Sequence, residues 1–387
     1  MPTAPWPRKA RPRASAPHAS GVRFCHAANA YQSDCRPVRM PLTFWRSRSP
    51  SVSRRKVHFQ RGRTEMRMLI AGLAVAASFQ AQAQESWKFY TYLPNGKLAG
   101  AEGLAQVLDT VEKGSNGAIK FQMNLSGSLP INASDITQAV ADGIVQMGDD
   151  GFFLGNITIG GVLRQPMLIK DEMEYAKTLA IVQPHIEKAY DEKGITVLGT
   201  YYYPLITVFG AKPITKLEDL NGKKFRMTSP EQANFLKAFG ASGITISPPE
   251  VPTALQRGAV DGVLTATAGG GRIWGDLLTH NYRIGTDFFQ GFVIVNKAAL
   301  GKLKPELQKL IRDTVAQVTP GISVRMAREE GETVDLLKTK GMVFTNAKPE
   351  DIAEATKRMG AVWSEWAKSK GPLHEKVMAE VRAALGK

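Results

Sequence analysis

Cysteine is almost absent: the 387 residues hold two, Cys25 and Cys35, and none follows. Beyond them a disulfide framework, a thiolate nucleophile and a zinc–thiolate site are all excluded. Histidine is nearly as scarce, and past residue 83 only His185, His280 and His374 remain, far apart in sequence. There is no His-Glu-x-x-His, no Gly-x-Ser-x-Gly and no Gly-x-Gly-x-x-Gly, so metallohydrolysis, serine-nucleophile and dinucleotide chemistry lack their usual carriers. The glycine run AGGGR (268–272) lacks the Lys-Ser/Thr of a phosphate loop and reads as a tightly packed helix start. No apolar run reaches the roughly 20 residues that a membrane-spanning helix needs. Neither a metal nor an organic cofactor is expected.

Charge is abundant but badly distributed. The chain carries 50 Lys and Arg against 35 acids, and 15 of those bases with only two acids, Asp34 and Glu65, fall in residues 1–70. The remainder therefore holds 35 against 33, so the high overall pI does not imply a nucleic-acid partner for the body of the protein. Residues 67–83, RMLIAGLAVAASFQAQA, show a basic start, an apolar run of about a dozen residues and a small-x-small end at Ala81-Gln82-Ala83, the form of a secretory signal. Cleavage after Ala83 and a periplasmic location are expected. With the signal at 66–83, translation is expected to begin at Met66 or Met68, leaving 1–65 as a non-native upstream extension or a disordered basic arm.

From Trp87 the pattern alternates. WKFYTYL, AIKFQMNL and IVQMGD read as strands, separated by the amphipathic helices LAGAEGLAQVLDTVEKGSNG and ASDITQAVADG. A second unit runs from ITVLGTYYY and LITVFGA through KKFRMT, a helix over 230–241, ITIS, VPTALQRG and AVDGVLTA; a long helix follows from Lys304, with a kink expected at Pro320-Gly321, and two more helices close the chain. This is the alternation of an α/β fold with largely parallel sheets. AVADGIVQM (139–147) and ALQRGAVDG (254–262) share Ala-x-x-x-Gly-x-Val, a helix end, a Gly turn and a strand, which would mark equivalent strands in two similar lobes facing a cleft.

Two residue sets could carry chemistry. Arg226 lies in the short strand KKFRMT, which ends at Ser229-Pro230 and runs into a helix, so the strand end fixes where its cation points. Asp149-Asp150 follow the strand IVQMG. Adjacent carboxylates can do acid–base work when burial separates their pKa values, but with no nucleophile or metal ligand nearby in sequence a ligand contact or helix cap is the favoured reading.

Four segments in order resemble the DctP-type extracytoplasmic solute receptors of tripartite ATP-independent periplasmic (TRAP) transporters: LSGSLP, DITQAVADGIVQM, KPITKLEDLNGKKFRM and GASGITISPPEVPTALQRGAVDG. The resemblance covers about Trp87 to Leu385. It implies a two-lobed periplasmic binding protein-like fold of mixed sheets flanked by helices, with a long interlobe helix: one lobe over about 84–205 and 297–325, the other over 206–296, and helices in 326–387 packing across both. It implies capture of an organic acid by lobe closure and delivery to membrane subunits, with no turnover. A sensor for a membrane kinase, or an enzyme acting on a carboxylic acid through Asp149 and Asp150, are the alternatives.

By the same resemblance Arg226 occupies the position of the arginine that binds substrate carboxylate, where a guanidinium fork fixes an acid by two parallel hydrogen bonds. The ligand set is then Arg226, Thr265, Tyr92, Asp150, Tyr203, Ser229, Trp274 and Phe289. The chain departs from the family where Gln-Glu-Asn-Pro is expected, reading Val263-Leu264-Thr265-Ala266; Ile206 stands where sialic-acid receptors carry a second arginine, and Pro252 where the family has Tyr. These changes remove polar partners and leave Tyr90, Tyr92, Tyr202, Tyr203, Trp274 and Phe289 as candidate walls. A monocarboxylate with an apolar or aromatic body is the expected ligand, and a monomer the expected state.

Overall fold

The computed structural model describes residues 84–387; the expected signal segment and the basic stretch before it lie outside the described residues. In chain order the elements are β1 (Glu85–Thr91), α1 (Ala99–Gly114), β2 (Ile119–Asn124), α2 (Ile136–Ala141), β3 (Met147–Asp150), α3 (Glu172–Asp191), β4 (Ile195–Leu205), β5 (Thr207–Gly210), β6 (Lys224–Met227), α4 (Gln232–Ala238), β7 (Ser242–Thr245), α5 (Val251–Gln256), β8 (Gly262–Thr265), β9 (His280–Arg283), β10 (Phe288–Asn296), α6 (Lys297–Lys302), α7 (Pro305–Thr339), β11 (Val343–Asn346), α8 (Pro349–Lys370) and α9 (Pro372–Leu385).

The strands form two mixed sheets, ordered β2-β1-β3-β10-β4 and β11-β9-β5-β8-β6-β7. In the first, β1 runs parallel to β2 and β3, while β10 pairs antiparallel with both β3 and β4. In the second, β6 runs parallel to β7 and β8, and β5 lies antiparallel to β8 and β9. The two-lobed fold expected from the sequence is therefore present. One boundary differs: Phe288–Asn296, expected in the second lobe, belongs to the first sheet. Its nine residues, FFQGFVIVN, are all buried, and a strand buried on both faces belongs between two partners rather than at the end of the other sheet. Likewise β11, beyond the long helix, joins the second sheet rather than a purely helical cap.

The chain passes between the sheets at two adjacent points. Ile206 alone separates β4 from β5, and its amide donates to Asp287 O (2.7 Å) while Thr286 N donates to Ile206 O (2.8 Å), so the two crossing segments are bonded to each other. The third tie is α7, 35 residues and so about 50 Å long. It runs through Pro320 without interruption of the helix. Gly100 and Gly103 of α1 let it approach: a Cβ on Gly103 would stand 2.5 Å from Ile322, and one on Gly100 2.6 Å from Met326. Farther along, Glu329 accepts from Ala99 N of α1 and is paired with Arg272, while Glu330 accepts from Ala268 N (2.9 Å) and Arg283 (3.3 Å). One helix turn thus binds segments attached to both sheets.

The short internal echo has a structural counterpart. After α2, Ile144 N bonds Ala139 O and Gly143 takes φ 71°; after α5, Ala259 N bonds Ala254 O and Gly258 takes φ 66°. Both are left-handed glycine stops with a bond from three residues past the helix back to its last turn, a conformation that costs glycine little. They feed β3 and β8, which occupy the middle of their respective sheets.

Candidate functional site

The carboxyl ends of β6 and β8, the segment after β1 and the crossing strands converge on a cavity of about 40 Å³. Of the residues proposed for ligand contact, Tyr92, Tyr203, Arg226, Thr265, Trp274 and Phe289 line it. So does Ile206, at the position compared above with a second arginine. Asp150 and Ser229 do not: both are fully buried outside the lining. Of the other candidate walls, Tyr90 donates its hydroxyl to Ile131 O (2.7 Å), and Tyr202 packs at an angle against Tyr175 and edge-on to Phe288; neither lines the cavity. Phe152, Thr228 and Ile273 are lining residues the sequence reading missed.

Arg226 is 1% exposed. Its Nε donates to Ile246 O (3.0 Å), and its guanidinium carbon stands 5.1 Å from the centre of the Trp274 ring and 5.6 Å from that of Phe152. It forms no ion pair among the described residues. Burial, with a smaller contribution from the Arg164 cation, lowers its pKa to about 9. The group remains charged at neutral pH, flanked by two aromatic faces and with its terminal nitrogens uncommitted to protein acceptors. Trp274 adds an indole N–H that has no hydrogen-bond partner among the described residues.

Arg164 lies behind this wall and is fully buried. Its Nε donates to Asp287 Oδ2 (2.7 Å), its Nη2 to Thr228 Oγ1 (2.6 Å), and its guanidinium carbon lies 4.9 Å from the Phe289 ring centre. Gln232 completes the loop, donating to Asp287 Oδ1 (2.8 Å) and accepting from Thr228 N (2.9 Å). The network joins Asp287, at a crossing point between the sheets, to Thr228 and Phe289 of the cavity. No short-range motif marks Arg164; only the fold brings it next to residues 64 and 123 positions away.

Thr265 caps the glycine run, its hydroxyl accepting from Gly270 N (3.1 Å). Gly270 is required there because a Cβ would meet Trp274 at 2.2 Å and Thr265 Oγ1 at 2.5 Å. The run is thus a close-packed segment, as expected, and holds Trp274 against Arg226.

Asp149 and Asp150 sit one layer deeper, 0% exposed. Thr91 and Tyr201 hydroxyls approach Asp149 (2.6 and 2.9 Å), and Thr137 and Tyr190 approach Asp150 (2.5 and 3.2 Å). Burial pushes both carboxyls up to about 7, opposed by these hydroxyl contacts. Neither has a nucleophile, a cation or cavity access, so the catalytic role weighed for the pair has no geometric basis.

A cation-bearing cavity between two mixed α/β layers defines a two-lobed solute receptor. The chain belongs to the family described as bacterial extracellular solute-binding protein, family 7, whose profile matches residues 96–370. It is 23% identical over 313 residues to the sialic acid-binding periplasmic protein SiaP of Vibrio cholerae, covering 74% of this chain and 90% of that one. A solute-binding protein of Albidiferax ferrireducens is 28% identical over 161 residues, 41% of this chain and 47% of the relative, so that match spans about half the relative's length. Among solved structures, DctP7 of Bordetella pertussis, an extracytoplasmic solute receptor binding pyroglutamic acid, superposes with a TM-score of 0.71 at 23% identity over 76% of this chain and 98% of its own. The resemblance to the TRAP receptors holds for family and fold. The family is a class of binding proteins, not of enzymes.

Proposed function

We propose that the protein is the periplasmic receptor of a TRAP-type transporter, exported by a signal peptide cleaved after Ala83, and that it captures a small monocarboxylate as a monomer and hands it to membrane subunits. The observation that carries this is Arg226: a buried guanidinium without a carboxylate partner, at the wall of the interlobe cavity. Burying a cation alone costs several kcal/mol, and a ligand carboxylate on its terminal nitrogens would offset that cost while fixing the ligand's orientation.

The remaining walls point to the body of the ligand. Leu93, Leu98, Phe152, Ile206, Ile273 and Phe289 are apolar, and besides Arg226 the polar groups are those of Tyr92, Tyr203, Thr228, Thr265 and the Trp274 indole N–H. A polyhydroxylated acid would leave hydroxyls unpaired here, at about 1–3 kcal/mol each. A compact acid with one further polar group fits better, a class that includes the pyroglutamate bound by the Bordetella pertussis neighbour. Capture by lobe closure requires a hinge between the sheets. The crossings at Ile206 and Asp287 supply the hinge, and ligand bridging of both lobes favours the closed form.

Thermal unfolding with a panel of carboxylic acids tests the reading. A binding acid raises Tm in a concentration-dependent way following RT ln(1 + [L]/Kd) and is recovered unchanged. If only neutral solutes stabilise the protein, or if acids stabilise Arg226→Ala equally well, the clamp assignment fails.

A further inference from the structure

A chain of four groups runs from the core to the cavity: the Asp149 carboxyl, Tyr201, Tyr92 and Tyr203. Tyr201 Oη lies 2.9 and 3.0 Å from the two Asp149 oxygens, Tyr92 Oη 3.1 Å from Tyr201 Oη and 3.2 Å from Tyr203 Oη. Tyr92 and Tyr203 line the cavity, whereas Tyr201 and Asp149 do not. Each phenol has one proton. Tyr92 has two phenol neighbours for that proton, so all three contacts are satisfied only when the protons point the same way along the chain.

Two arrangements meet the condition. With Asp149 ionised, Tyr201 donates to it, Tyr92 to Tyr201 and Tyr203 to Tyr92, leaving the cavity with the lone pairs of Tyr203. With Asp149 carrying a proton, it donates to Tyr201 and every bond reverses, so the Tyr203 proton is free for the cavity. The angles at the Tyr92–Tyr203 contact suit Tyr92 as the donor, as in the second arrangement, while Tyr201 is placed to donate to Asp149, as in the first, so the geometry accommodates either polarity. Thr91 orients the carboxyl: its hydroxyl accepts from Leu93 N (3.1 Å) and donates to Asp149 Oδ2 (2.6 Å), while Tyr201 contacts both carboxyl oxygens.

We propose that Asp149 is a positioning residue that sets the hydrogen-bond polarity of the cavity through this relay, so that the neutral form selects acids whose second polar group is an acceptor, and the ionised form selects acids bearing an N–H or O–H there. The inference rests on the carboxylate-receptor reading and names the second recognition element of the same site. The titratable groups around Asp149 are Asp150 on β3, Tyr92 just past β1, Tyr201 and Tyr203 on β4, and Tyr190 on α3. Neither aspartate has a cationic partner among the described residues. Burial places the titration of Asp149 at about 7, so both arrangements are reachable.

The experiment uses shape-matched acids differing at one ring atom: furan-2-carboxylate against pyrrole-2-carboxylate, and 5-oxotetrahydrofuran-2-carboxylate against pyroglutamate. Calorimetric affinities are measured at pH 6 and pH 8.5 for the wild type, Asp149→Asn and Tyr201→Phe. The wild-type preference for the ring-oxygen acid should fall about tenfold or more between the two pH values. In Asp149→Asn the side-chain amide accepts from Thr91 and donates to Tyr201, so this variant should keep the acidic-pH preference at both; Tyr201→Phe cuts the relay and should show the same ratio at both. Binding with one pH-independent ratio across all three proteins overturns the relay while leaving the receptor reading intact. Failure of the wild type to bind any monocarboxylate, these included, removes the receptor reading and this inference with it.

Discussion

At the scale of one residue, Arg226 combines two opposed demands. Its charge is out of water and unpaired, which destabilises the free protein, and that same lack of a partner leaves it open to an acid. Arg226→Met should therefore raise the Tm of the free protein while abolishing stabilisation by any acid, a pair of changes that a purely structural arginine would not produce. Arg226→Lys keeps a charge but loses the planar fork; losing one charge-assisted hydrogen bond of about 1.5–3 kcal/mol weakens Kd roughly 10- to 100-fold by titration calorimetry. The lowered pKa adds a pH signature. The free protein loses the Arg226 proton near pH 9 whereas the complex retains it, so affinity should be flat below pH 9 and fall about tenfold per unit above it. Arg226 was legible because a strand-end cation before a Ser-Pro turn lies inside a family-like segment. Asp150 and Ser229 lie outside the cavity because Asp150 sits a layer deeper, bonded to Thr137 and Tyr190, and Ser229 is buried past the lining Thr228, depths that adjacency in sequence does not show.

At the scale of elements, alternation revealed strands with helices between them, including β1, β2, β4, β5, β6 and β8, and the left-handed stops at Gly143 and Gly258. It did not reveal β10. Its run FFQGFVIVN is buried throughout and apolar but for Gln290 and Asn296, and such a run carries no period to distinguish a buried strand from a buried helix segment. Nor could it reveal that β4–β5 and β9–β10 cross side by side, since that pairing joins Ile206 to Asp287 across 81 positions. The Arg164–Asp287 pair depends on that crossing. Both side chains are fully buried, so removing one partner leaves a charge without compensation. Asp287→Asn should cost about 3–5 kcal/mol in denaturant unfolding, and the double variant Arg164→Met, Asp287→Asn should cost less than the two single losses combined. Additive losses would mean that the pair contributes nothing as a pair. Because Arg164 also holds Thr228 and faces Phe289, Arg164→Met should weaken ligand binding without touching the ligand.

At the scale of the whole molecule, the buried carboxyls leave a mark on stability. Asp149 and Asp150 are pushed up to about 7 in the folded protein against about 4 in an unfolded chain, chiefly by burial. Between those values the folded state holds protons that the unfolded state has released, so stability falls as pH rises from about 4 to about 7 and levels off above. The slope is at most about 1.4 kcal/mol per pH unit for each group. This runs opposite to the usual paired carboxylate, whose contribution is lost on acidification. Asp150 is the cleaner probe, since Asp150 Oδ1 has no partner and the residue is outside the tyrosine relay. Asp150→Asn cannot ionise, so relative to wild type it should be near neutral at pH 4.5 and stabilising at pH 7.5, read as the difference in Tm at each pH. An equal difference at both would show that Asp150 ionises in the folded protein as it does in the unfolded chain, and that the polar layer behind the cavity is wetter than its geometry indicates.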